Sequence, residues 1–291
     1  MINPIFLFIL IFIKKYDIIY YKMKGRFLNM QPMKRIVEQY REAKTIIDPK
    51  KVIYIALQGS QNYNLEYEDS DIDSKVIVTP DLRDVVENRK PVSTTHVCDN
   101  DEHIDLKDIR LMFDCFKKQN INFIEILFTD YHIIQSDYYK EVIELRDNAE
   151  DIARYNPYRA VKCIKGMAKE KFHALKHPYP SKKYEIETFG YDPKQLSHII
   201  RLEEFLKKYI KGISYKECLI TNQREFILDI KKGKYDLTKA EDMANKYLYT
   251  TEVIADDFCN NISEESNKKI EELLDNIKYE IMTKAFKKCL K

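Results

Sequence analysis

The sequence predicts an α+β protein, a small front half built on a mixed sheet followed by a helical back half. Three observations carry this. Two apolar runs rich in β-branched residues, Lys51 to Leu57 (KVIYIAL) and Asp73 to Val78, are closed by Gln58-Gly59 and Thr79-Pro80, as buried strands of one sheet are. Beyond about residue 150 the apolar spacing changes to a helical period and keeps it to the C-terminus. The chain of 291 residues, 44% hydrophobic and 33% charged, has globular proportions, enough length for a sizeable core and no signature of disorder.

Taken in order, Ile2 to Ile13 is almost wholly apolar. It is shorter than the roughly 20 residues that span a bilayer as a helix. Its lysines, Lys14 and Lys15, follow the run, whereas a secretory signal carries its positive charge before it. With internal methionines at 23, 30 and 33, residues 1–32 read as a leader outside the fold, set against a short anchor or a strand-like appendage. A core over 33–150 and a helical domain over 151–291 follow. Ile36, Val37, Tyr40 and Ala43 mark an opening helix stopped by Asp48-Pro49. His96–Val97 and His103–Leu106 suggest strands around the turn CDNDE, and Ile109, Met112, Phe113 and Phe116 a helix. Phe123 to Phe128 suits either strand or helix. Helices are expected over Tyr158–Lys171, Pro193–Lys211, Tyr215–Lys232, Leu237–Asp257 and Ile262–Cys289, with Thr238 and Glu241 as a capping box and a loop over His177–Ser181.

The net charge is only +2, so no overall basic field recruits nucleic acid or a membrane, and a polyanion must be met by a local patch. Six cysteines, at 98, 115, 163, 218, 259 and 289, show no CxxC pair and no His-Cys cluster at zinc spacing. They read as reduced thiols of a cytoplasmic protein, without disulfides or a metal role, and no membrane association is expected.

Between the first two strands stands GSQNYNLEYEDSDIDSKVIV, Gly59 to Val78. Residues two apart on a strand share a face, so Asp71 and Asp73 present two carboxylates together while Ile72, Val76 and Val78 face the other way. Hard oxygen pairs of this kind hold Mg²⁺ together with substrate phosphates. A third carboxylate is expected from a neighbouring strand, and the alternation in EHIDLKDI selects Asp105, with Asp101 and Asp108 as weaker choices. At Gly59-Ser60 a glycine lets the backbone approach closely, and the turn with its hydroxyl can cradle phosphate oxygens. An exposed acidic turn is the plain alternative.

Gly-Ser followed ten residues later by Asp-Ile-Asp resembles the nucleotidyltransferase superfamily. Together with HIDLKDIRLMFDCFKKQNINFIEILF and GYDPKQLSHIIRLEEFL, it resembles more narrowly the DNA-polymerase-beta-type nucleotidyltransferases associated with bacterial and phage RNA repair, over roughly residues 50 to 210. The resemblance implies that Gly59 and Ser60 bind the nucleotide phosphates and that Asp71, Asp73 and Asp105 hold Mg²⁺ or Mn²⁺. Gln58 and Ser74 depart from the superfamily's usual apolar residues, and neither departure removes a ligand.

Two basic stripes stand on the expected helices. Arg159, Lys162 and Lys169 form one, for which solvated surface charge is an equal alternative. Lys194, His198 and Arg201, at i, i+4 and i+7, form the second and fall in a segment that carries the resemblance, so they are candidate nucleotide contacts. Tyr63 is expected in the core or its rim rather than stacked on a base. The function implied is metal-dependent transfer of an NMP from an NTP to a hydroxyl, with release of pyrophosphate. The acceptor would be an RNA 3′ end, an amino sugar or a protein hydroxyl. The competing reading is a non-catalytic nucleotide- or RNA-binding module or an antitoxin-like partner.

Overall fold

A computed structural model describes residues 11–13, 18–20, 30–67 and 70–290 of the chain. The remainder of the expected leader lies outside the described residues. The sheet is mixed, as expected of an α+β protein. Its strands are β1 (Ile11–Ile13), β2 (Ile18–Tyr20), β3 (Val52–Gln58), β4 (Asp73–Val78), β5 (Ser93–Val97), β6 (His103–Asp108) and β7 (His132–Gln135), in the spatial order β1-β2-β7-β3-β4-β6-β5. Only β4 and β6 run parallel; the other neighbours are antiparallel. The five strands from β7 to β5 form its body, and the two three-residue strands extend one edge.

The helices are α1 (Met30–Ile46), α2 (Leu82–Val86), α3 (Ile109–Lys117), α4 (Ile121–Ile124), α5 (Tyr139–Asp147), α6 (Ala149–Ala153), α7 (Pro157–Ala174), α8 (Lys183–Phe189), α9 (Pro193–Ile210), α10 (Tyr215–Leu219), α11 (Arg224–Lys231), α12 (Leu237–Asn260) and α13 (Lys268–Cys289). None of them is long and apolar enough to cross a membrane. The described cysteines are all free thiols.

The alternation of side chains along the strands divides the interior in two. Val52, Ile55, Leu57, Ile72, Val76, Val78, Ile104 and Leu106 pack under Ile36, Tyr40 and Ala43 of α1. Ile53, Ala56, Ile77 and Ile134 point to the opposite face, where one apolar cluster continues through α3, α4, α7, α9 and α12 as far as Ile281 on α13. That cluster crosses residue 150 without interruption. Helix starts follow the usual capping chemistry: Asp108, Asn156, Asp192, Asp236 and Asn267 each accept a backbone N–H of the first turn with their side chains.

Several elements differ from the sequence expectation. The helix expected over Tyr215–Lys232 is two, α10 and α11, because the buried Glu204 carboxylate captures the intervening segment. It accepts the Asn222 N–H at 2.8 Å and the Thr221 hydroxyl at 2.6 Å, while the Thr221 N–H donates to the Tyr63 carbonyl. Helix α12 is capped by Asp236 through the Lys239 N–H, and Glu241, expected in a box with Thr238, pairs with Lys176 instead. Phe123 to Phe128 is α4 followed by a 3-10 turn over Glu125–Leu127. Helix α13 starts at Lys268 rather than Ile262. The short strand β7, which completes the sheet beside β3, was not expected from the sequence.

Candidate functional site

At the C-terminal end of β3 the chain turns through Gly59, whose φ of 96° and ψ of −143° lie in a region that L-residues rarely adopt. Ser60 to Tyr63 then make a 3-10 turn, fixed by Asn62 N–H to the Gly59 carbonyl and by the Asn62 side chain to the Leu57 carbonyl. This turn forms one wall of a cleft of about 420 Å³. Asp71 and Asp73 stand beside it at the start of β4. Helix α9 forms the opposite wall, with Lys194, His198 and Arg201 facing inward and Lys231 of α11 beside them.

Each carboxylate has a distinct environment. Asp73 accepts the backbone N–H of His103 at 2.9 Å and contacts its Nδ1 at 3.1 Å. The Asp71 carboxyl is raised above its usual range, first by partial burial and then by the charge of Asp73, with Lys194 pulling the other way. Two carboxylates opening on the same cleft, one of them raised by the charge of the other, suit a shared hard cation.

The cationic wall is under-compensated. Arg201 is 4% exposed, stacks its guanidinium 3.7 Å from the Tyr63 ring centroid and has no hydrogen-bond partner for Nε or Nη1. The Tyr63 hydroxyl interacts with both Arg201 and the buried Glu125. Burial raises the Glu125 carboxyl, against opposition from Tyr63 and Arg201. Lys231 has its ammonium lowered by burial and then by the nearby charges of Lys194 and Arg201. His198 is held well below the usual histidine range by burial and by the same two cations, so its imidazole is neutral at pH 7. Lys182 differs, because Glu185 already pairs with it at 2.9 Å. Cations gathered on one wall, with Arg201 buried and Lys231 lowered by Lys194 and Arg201, suit an anion.

Gly59, Ser60, Asp71, Asp73, Lys194, His198 and Arg201 therefore share one cleft, and Asp105 does not line it. The strand register explains why. On β6, Asp105 is the partner of Lys75, while the residue beside Asp73 is His103. Asp105 points to the same face as Asp73 but is held by Lys75 Nζ at 2.7 Å, by Lys107 Nζ at 2.7 Å and by the Thr95 hydroxyl at 3.0 Å. Burial pushes its carboxyl up, and the two lysines outweigh this and hold it below the usual range. Asp101 and Asp108 offer no substitute in the cleft; Asp108 is buried and binds Arg110. The Asp71–Asp73 pair thus fits one Mg²⁺ completed by water and phosphate oxygens. Asp105, committed to Lys75 and Lys107, is not available to a second ion.

Sequence reasoning missed Lys75, Glu125 and Lys231. Lys75 was legible in principle, since it alternates with Asp73 on one strand, but its partner depends on the β4–β6 register. Glu125 and Lys231 carried no local signal. The stripe of Arg159, Lys162 and Lys169 lies away from the cleft, where Arg159 and Lys169 pair with Glu264 and Glu252.

No protein-family model matches the chain, and no curated protein matches it.

Proposed function

We propose that the protein is a metal-dependent nucleotidyltransferase that seats a nucleoside triphosphate between the Gly59–Tyr63 turn and α9. One observation carries the reading: a 4%-exposed arginine with two unpartnered nitrogens faces a carboxylate pair across one cleft. A polyphosphate bridging an acid-held cation and a cationic wall satisfies both sides at once.

In this reading Lys194, Arg201 and Lys231 bind the β- and γ-phosphates, and the Ser60 hydroxyl and the Gly59 turn accommodate the phosphate chain. The acceptor hydroxyl oxygen forms a bond to the α-phosphorus as the α–β bridging P–O bond breaks. Pyrophosphate leaves with the bridging oxygen, and the hydroxyl proton passes to solvent. Mg²⁺ or Mn²⁺ on Asp71 and Asp73 would supply charge neutralisation at the transferring phosphate. The side chains contribute positioning and electrostatic stabilisation, which dominate phosphoryl-transfer catalysis. The resemblance to RNA-repair nucleotidyltransferases supports an RNA acceptor.

The commitment of Asp105 to two lysines favours a second reading, a module that binds nucleotide or RNA without turnover. Incubation with each α-labelled NTP, Mg²⁺ or Mn²⁺ and total RNA separates them. Label transfer that Asp71→Ala abolishes supports the enzyme. Saturable ATP binding with no transfer to any acceptor supports the module. Transfer undiminished in Asp71→Ala overturns the assignment of the acidic pair.

A further inference from the structure

On the opposite face of the sheet, three donors of different chemistry meet: Glu42 of α1, His96 of β5 and Cys98 just beyond it. One ligand atom from each lies within 4.8 Å of the other two, and His96 Nε2 contacts Glu42 Oε1 at 2.7 Å. We propose that Glu42, His96 and Cys98 bind a borderline-soft divalent metal, of which Zn²⁺ is the best match, at a site separate from the acidic cleft.

The geometry and the donor set both point to such an ion. Zn²⁺ takes imidazole nitrogen and carboxylate oxygen at roughly 2.0–2.2 Å and thiolate sulfur at roughly 2.3 Å, which sets neighbouring ligands roughly 3.3–3.8 Å apart in a tetrahedron. The cluster brackets that range: the Glu42–His96 contact at 2.7 Å has to open, and every pair of ligand atoms lies within 4.8 Å. Sulfur and imidazole donors disfavour Mg²⁺, whose preference for oxygen suits Asp71 and Asp73. A thiolate and a carboxylate would neutralise the ion's two charges.

The donors are also held by the fold. His96 and Cys98 are two apart, so they share a face of the chain. Cys98 is buried in the apolar layer under α1 and is fixed at both backbone groups, donating to Glu102 at 2.8 Å and accepting from Asp101 at 3.0 Å. Glu42 projects from a helix anchored by buried Ile36, Tyr40 and Ala43. The nearby Glu102 is committed to Arg35 and Gln39 and stays outside the ligand set. Glu42 and His96 are 38% and 37% exposed at their side chains, so water reaches the fourth position. Binding would displace the Cys98 thiol proton to solvent and tie α1 to the edge strand β5.

Chelator-treated full-length protein titrated with Co²⁺ alone, without Mg²⁺, tests this. The expected result is thiolate-to-cobalt charge-transfer absorption and the strong visible bands of a tetrahedral site that saturate at one equivalent, all bleached by Zn²⁺. Cys98→Ser should abolish the charge-transfer band, Cys163→Ser should keep it, and His96→Asn should weaken Co²⁺ binding at least about 10-fold. Absence of the band in the wild type, or its persistence in Cys98→Ser, overturns the proposal. Should Cys98→Ser lose its native circular dichroism, His96→Asn on the partly exposed edge strand decides: unchanged Co²⁺ affinity overturns the site.

Discussion

Arg201 lies face-on to Tyr63, its guanidinium carbon 3.7 Å from the ring centroid, with two nitrogens unpartnered at the cleft. Stacking holds the planar group in place, and a lysine can reproduce its charge without its plane or its fork of donors. Arg201→Lys should therefore weaken triphosphate binding by about 10-fold or more, the size of a lost charge-assisted hydrogen bond. Equilibrium binding of ATP measures this, and unchanged affinity would remove Arg201 from the phosphate site.

Asp71 and Asp105 should respond in opposite ways to removal of their charge. Asp71→Asn is expected to abolish metal-dependent label transfer with little change in stability, because its carboxylate is only partly buried and the charges of Asp73 and Lys194 act on it in opposite directions. Asp105→Ala strands Lys75, 3% exposed, without its counter-charge and should cost about 3 kcal/mol of folding free energy. Urea denaturation of both variants at pH 7.5 tells them apart. The Asp105 carboxyl is held below its usual range, so its contribution is present at neutral pH and fades as pH falls through that lowered value.

His132 offers a pH test away from the cleft. It is buried, Nδ1 has no partner, and burial together with Arg146 holds its imidazole well below the usual histidine range. Above about pH 6.5 the group is neutral in folded and unfolded chains alike and contributes nothing to the pH dependence. Below that, the unfolded chain binds a proton that the folded one refuses, so stability falls with decreasing pH. His132→Gln should lose less stability than the wild type between pH 7.5 and 5.5, by about 1.4 kcal/mol. Equal losses in the two proteins would contradict the assignment.

Gly59→Ala isolates backbone conformation. A Cβ added there meets nothing within 4 Å, so crowding plays no part. At φ +96° the substitution should still cost about 1–3 kcal/mol and misplace Ser60. Chemical denaturation and ATP binding should both register the change; a variant as stable as the wild type would show that the turn relaxes freely.

Local chemistry made much of this structure legible. The β-branched runs bounded by Gly59 and Pro80, the Asp71–Asp73 alternation and the Lys194–His198–Arg201 stripe each depend on near neighbours, and their placement follows from strand and helix periodicity. The fate of Asp105 depends on which residue of β4 lies beside it across a parallel pair, and a sequence does not display that register. The break at Ile220–Gln223 depends on the buried Glu204, and the meeting of Glu42 with His96 on the packing of α1 over the sheet. Long-range partnership decided each case that local pattern left open.

The unbroken apolar cluster from β3 to α13 has a mechanical corollary. Both flanks of the cleft are anchored in the same close-packed interior, which opposes a swing of one against the other. Adjustment to a ligand entering the cleft would then come from rotamers of long side chains such as Lys194, and selectivity would rest on a preformed shape.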